Sequence, residues 1–217
     1  MNFTLVIAFS LSIYIAGIIA VIRLKKINKI YYPFLISIWL GCLSELVNSL
    51  LAGKNLNSYT NINLYILFET LLITLFFRNL GLFQFQKKLF YSIIGGLIAG
   101  WIIENIIVKQ INTIAIYFTI YSSLIIVLLS VTILNKLIVS SRRTFITNPI
   151  FLLCIAFIIY FTYQVMVYAF WIYAPQSDAG FLLKIFSIMI YINLLTNLIY
   201  ALAVLWMHKK QEFTLPS

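Results

Sequence analysis

Residues 61–77 read NINLYILFETLLITLFF. One acid, Glu69, stands at the midpoint of this run, the run contains no base, and Arg78 follows it directly. A helix needs about 20 mainly apolar residues to cross the hydrocarbon core of a bilayer, so this run and its flanks have the length and character of a membrane span. The acid is the anomaly, because an ionised carboxylate at membrane depth costs roughly 3 kcal/mol even on insertion scales.

The same pattern recurs along the chain. Of its 217 residues 63% are hydrophobic and 9% charged, with a mean hydropathy of +1.05. Soluble domains are about half apolar and a quarter charged. Runs at 3–22, 34–52, 62–77, 89–108, 112–134, 150–173 and 181–206 predict an all-α, polytopic membrane protein, a single seven-helix transmembrane domain. The first run lacks a basic start and is followed by RLKKINK, so it reads as an uncleaved anchor rather than a signal peptide. No connecting stretch is long enough to bury a core of its own, so a catalytic or output domain is expected on another chain.

The formal net charge of +10 is informative through its placement. Arg23, Lys25, Lys26, Lys29, Arg78, Lys87, Lys88, Lys136, Arg142, Arg143, Lys209 and Lys210 follow the odd-numbered spans, against Lys54, Lys109 and Lys184 on the other side. Lys and Arg mark the cytoplasmic face. The expected topology is amino terminus out and carboxy terminus in, within a bacterial-type inner (plasma) membrane. The basic loops are expected to lie against anionic head groups of the lipid bilayer, and no nucleic-acid partner is implied.

Cys42 and Cys154 fall inside apolar runs, where cysteine packs as a small hydrophobe. A basic loop and a proline open both the second span (KINKIYYPFLIS) and the sixth (SSRRTFITNPIFLL), which raises a weak repeat of spans 1–3 and 5–7 around an inverting fourth. Proline also suits any helix start. Gly96 and Gly100 in GGLIAG have the spacing that lets two membrane helices approach, either a neighbour in the bundle or a second copy in a homodimer.

Much chemistry is excluded. The single histidine, His208, rules out a three-histidine zinc site, HExxH and a serine–histidine intramembrane protease. Asp178 lies in the loop APQSDAG, so paired-aspartate proteolysis and DDxxD chemistry lack their residues. No metal, cofactor or catalytic set is expected. Helix count and orientation resemble those of G-protein-coupled receptors, but Arg78 in LFFRNL has no acid before it and TNLIY has no proline, so no residue is carried across.

What remains is a polar cluster in the outer half. At 1.5 Å per residue Glu69 lies roughly 12 Å into its span and Glu45 roughly 10 Å from the end of its own, on two spans joined by a short loop. The two acids are thus at matching depth. Four-residue spacing adds stripes: Asn61, Tyr65 and Glu69; Glu45 with Asn48; Tyr160, Gln164 and Tyr168; Asn193 with Asn197 and Tyr200. Glu104 and Asn105 sit nearer the outer surface, within reach of interfacial water. The expected pocket comprises Glu45, Asn48, Tyr65, Glu69, Gln164, Tyr168, Asn193 and Lys184, with Glu104, Asn105, Asn197 and Tyr200 as a second tier. One acid of the pair is expected to carry a proton at neutral pH, which infrared spectra of the wild type and Glu69→Gln would test. The bland alternative is that these groups only tie helices together.

Three functions fit this reading: a ligand-sensing or accessory module that binds a small molecule and acts through a partner protein; a proton-coupled small-solute transporter with a 3+1+3 helix arrangement; and a membrane-embedded lipid-modifying enzyme using paired carboxyls.

Overall fold

The structure is a computed structural model and describes residues 9, 11–54, 56–108, 111–140, 147–173 and 179–207. Arg142, Arg143, Asp178, His208, Lys109, Lys209 and Lys210 lie outside the described residues. Among those described, the chain forms α1 (Ile13–Arg23), α2 (Tyr32–Gly53), α3 (Tyr59–Asn79), α4 (Lys87–Ile102, continued by a wider π turn over Ile103–Ile107), α5 (Ile116–Ser140), α6 (Pro149–Tyr173) and α7 (Ala179–Trp206), with no strand. Six stretches, Lys29–Gly53 through Lys184–Trp206, are long and apolar enough to cross a membrane. The described part of α1 is shorter than that, and the rest of the expected span 3–22 lies mostly outside the described residues.

Lipid as solvent explains both the helices and their surfaces. A backbone without water must satisfy its own hydrogen bonds, which an isolated helix does. The outer faces are apolar, with Ile22, Leu43 and Leu128 exposed, while Asn63, Thr74, Thr119 and Ser130 are fully buried. That inverts the soluble pattern.

Local chemistry sets the helix ends. Pro33 occupies the first turn of α2, where its missing N–H costs nothing. At the end of α3, Gly81 adopts φ 85°, the Gly81 N–H bonds to the Arg78 carbonyl and the Leu82 N–H to the Phe77 carbonyl. This pair of bonds around a left-handed glycine satisfies the last carbonyls and turns the chain towards α4. The expected start of the fifth span at 112 moves to Ile116, because residues 111–115 are held as a turn by Asn63 of α3.

The helices close a ring in the order α1, α2, α3, α5, α6, α7 and back to α1, with α4 packed outside it against α3 and α5. Arg23 at the end of α1 donates to the carbonyls of Leu205 and Met207 at the end of α7. Around α2, α3, α6 and α7 the basic half of the ring is filled by a layer of rings. Phe34 meets Phe76, Phe157 and Tyr200 at centroid distances of 5.9, 5.9 and 5.2 Å, and Phe77 meets Phe157 at 6.0 Å. Phe34–Phe76 is tilted and the other three pairs are edge-to-face, arrangements that add to the packing of each ring.

Candidate functional site

Above the aromatic layer, towards the loop joining α2 to α3, the ring is not filled. A cavity of about 230 Å³ is lined from α1 by Ile13, from α2 by Gly41, Ser44, Glu45 and Asn48, from α3 by Ile62, Tyr65, Ile66 and Glu69, from α6 by Tyr160, Gln164 and Tyr168, and from α7 by Met189, Asn193 and Asn197. It continues downward into a narrow end of about 30 Å³, where Phe34, Ser37, Ile38, Ile73, Phe157, Thr196 and Tyr200 join the wall and Tyr65, Glu69, Tyr160, Asn193 and Asn197 remain on it. Thirty cubic ångströms suffice for a water molecule, and the upper chamber for several.

Each wall residue arrives there by helical spacing. Tyr65 and Glu69 are one turn apart on α3, and the Tyr65 hydroxyl donates to Glu69 Oε1 at 2.6 Å. One turn before Tyr65, the Asn61 amide donates to Asn48 Oδ1 at 2.8 Å, to Ser44 Oγ at 3.0 Å and to the Ser44 carbonyl at 3.1 Å, tying α3 to α2. Gly41 lets the wall come close: a Cβ there would lie 2.6 Å from Ile13 Cδ1 and 3.3 Å from the Tyr65 hydroxyl. On the other side, Ser123 of α5 donates to Gln164 Oε1 at 3.1 Å, and the Asn197 amide donates to Ser12 Oγ at 2.9 Å.

Glu45, Asn48, Tyr65, Glu69, Gln164, Tyr168 and Asn193 therefore share one wall, together with Asn197 and Tyr200 of the second tier. Lys184 does not: it is exposed near the start of α7 and is not among the lining residues. Glu104 and Asn105 belong elsewhere. Glu104 is 5% exposed and accepts the N–H groups of Tyr117 and Phe118 in the first turn of α5, so it caps a helix amino terminus. Asn105 donates to the Trp101 carbonyl at 3.1 Å. Gly96 and Gly100 face α5: at Gly96 the Tyr121 hydroxyl takes the space of a Cβ, while at Gly100 a Cβ would meet Phe118 and Tyr121 at an ordinary 3.7 Å. The glycine stripe seats a neighbour within this chain.

Two groups escape the sequence reading. Thr196 is 1% exposed, lies on the narrow end, and its hydroxyl has no hydrogen-bond partner. Its position three residues after Asn193 on one helical face was the available signal. Asn63 is fully buried and serves the fold: its amide donates to the Thr113 carbonyl at 2.8 Å and the Ile111 carbonyl at 3.3 Å, and its Oδ1 accepts the Ala115 N–H at 3.1 Å.

Pro33 and Pro149 provide a common origin for α2 and α6. Counting from them, Gly41, Ser44 and Asn48 stand at the same positions as Phe157, Tyr160 and Gln164, and all six line the cavity or its narrow end. No protein-family model, curated protein or solved structure matches this chain. Among the described residues no group of three or more His, Cys, Asp or Glu could hold a metal ion.

Proposed function

We propose that this chain is a seven-crossing membrane module that binds a small molecule in the cavity of its helix ring and passes the bound state to a partner protein. Its amino terminus lies outside and its basic end lies in the cytoplasm. The observation that carries the reading is the shape of the cavity: widest towards the α2–α3 loop, narrowing where Glu69 and Thr196 line it, and walled at that end by Phe34, Phe157 and Tyr200. A recess closed at one end suits recognition better than passage. The basic residues Arg23, Lys25, Lys26, Arg78, Lys87 and Lys88 cluster at the closed end, where the positive-inside rule puts the cytoplasm and where a partner would dock.

The test is reconstitution in vesicles. Saturable binding without uptake supports the module; proton-coupled accumulation of the ligand overturns it. Orientation is checked separately by labelling single cysteines placed at Leu56 and at Phe85 with an impermeant reagent. Reaction at Leu56 alone in intact cells supports amino terminus out.

A carrier is the second reading, favoured by one observation. The ring places α1–α3 opposite α5–α7, and matched positions on α2 and α6 face the cavity from opposite sides. Parallel repeats about an axis along the membrane normal, with the site between them, are a known plan for carriers.

A further inference from the structure

Resting on the ligand-binding reading, we infer that the cavity takes a small organic cation: an ammonium head at the narrow end against Glu69 and Thr196, and a short apolar stem beside the rings of Tyr160 and Tyr168.

Charge is the first argument. The walls of the chamber and its narrow end bring two carboxyl groups together and include no Lys, Arg or His. Glu69 has the neutral Tyr65 hydroxyl as its hydrogen-bond partner and no cationic side chain beside it on the wall, so a neutral guest adds nothing to offset its charge and an anion would add a like charge in a low-dielectric site. A cation answers the wall directly.

The unpartnered hydroxyl of Thr196 is the second argument. Buried polar groups in native interiors are nearly always hydrogen-bonded, and an exception calls for a missing water or ligand. Thr196 lies at the end that Glu69 also lines, so its hydroxyl oxygen and the carboxylate offer two acceptors to the N–H groups of one ammonium. Three of the donors around the cavity are already engaged: the Tyr65 hydroxyl on Glu69, the Asn61 amide on Asn48 and Ser44, and the Asn197 amide on Ser12.

Aromatic lining and size complete the case. Tyr65, Tyr160 and Tyr168 supply ring surfaces that attract a cation electrostatically and an alkyl stem by packing. At about 230 Å³ the chamber falls below the usual range for drug-sized ligands, which limits the guest to a few heavy atoms.

The experiment is calorimetric titration of the full chain in lipid nanodiscs, in amine-free buffer. The probes are n-butylammonium, its neutral isostere 1-butanol, butyrate and sodium chloride. Saturable binding of n-butylammonium alone is the expected result. Glu69→Gln should weaken it by about 10- to 100-fold, the loss typical of a hydrogen bond to a charged group. Thr196→Val should weaken it less, and Tyr160→Phe, which keeps the ring, should leave it within a few-fold. Should the Glu69 variant fail to fold, the wild-type panel still decides. Equal or tighter binding of 1-butanol or butyrate overturns the cationic assignment while leaving a ligand-binding module standing. Equal binding of sodium at the same concentration replaces the organic cation with a simple ion and also overturns it. A panel in which nothing binds removes both the assignment and the reading beneath it.

Discussion

The Tyr65 hydroxyl and the Glu69 carboxyl are hydrogen-bonded at 2.6 Å, one turn apart on the inward face of α3. The acid that is anomalous in the sequence thus meets its partner on its own helix. If this bond is what makes the acid tolerable, the two residues must be energetically coupled. Tyr65→Phe is expected to destabilise the protein by about 1.5–3 kcal/mol, and much less when Glu69 is already Gln. A double-mutant cycle by thermal unfolding in detergent measures the coupling; additive single effects would show that the bond contributes nothing.

Asn63 holds the turn between α4 and α5 through its amide and carbonyl, and its backbone carbonyl accepts the Trp101 indole N–H at 3.0 Å. Asn63→Ala leaves the Ala115 N–H and the Thr113 carbonyl buried without their partner. A loss of about 2–4 kcal/mol is expected. Faster proteolysis within 111–115, with the rest of the chain resistant, would locate the damage.

Gly96 lies against Tyr121, whose hydroxyl would be 2.8 Å from an added Cβ, while Tyr121 itself is exposed and its tip free to swing. Gly96→Ala should therefore cost under about 1 kcal/mol and be relieved by Tyr121→Phe. Gly96→Leu should cost about 1–3 kcal/mol by forcing α4 from α5. Unfolding midpoints of the four variants decide. An Ala variant that Tyr121→Phe does not relieve would move the contact elsewhere.

Glu104 accepts two N–H groups at the start of α5, and a glutamine side chain offers one acceptor oxygen where the carboxylate offers two. Glu104→Gln should cost about 1–3 kcal/mol. Hydrogen exchange at Tyr117 and Phe118 should rise more than at the middle of α5. Unchanged exchange there would show that the carboxylate is not the cap.

The bilayer environment was legible because it is written in bulk apolarity, and most cavity residues were legible because polar side chains at four-residue spacing must share a face. Glu45 and Glu69 were paired by counting helical rise alone. Three things were not legible. Lys184 lies in the same half of the bundle, but depth says nothing of azimuth, and the residue is exposed and outside the cavity wall. The role of Glu104 is hidden because the backbone N–H groups it serves belong to another helix, invisible to a scan along one. Asn63 sits in the same run as Asn61, yet the two differ wholly in role, because their side chains leave α3 in different directions.

The closing of the ring has a consequence for direction. Chain order makes α1 and α3 run one way and α2 the other, and the detour through α4 returns the chain so that α5 and α7 run with α1 and α3. Four of the six ring contacts then join helices of opposite sense, and two, α3 with α5 and α7 with α1, join helices of the same sense. At these two seams like ends of the helix dipoles lie side by side, with no mutual compensation. Both seams are pinned by polar side chains: Asn63 across the first, Arg23 and the Asn197–Ser12 bond across the second. The molecule is thus two three-helix wedges stitched along opposite edges, with the hollow where their faces meet.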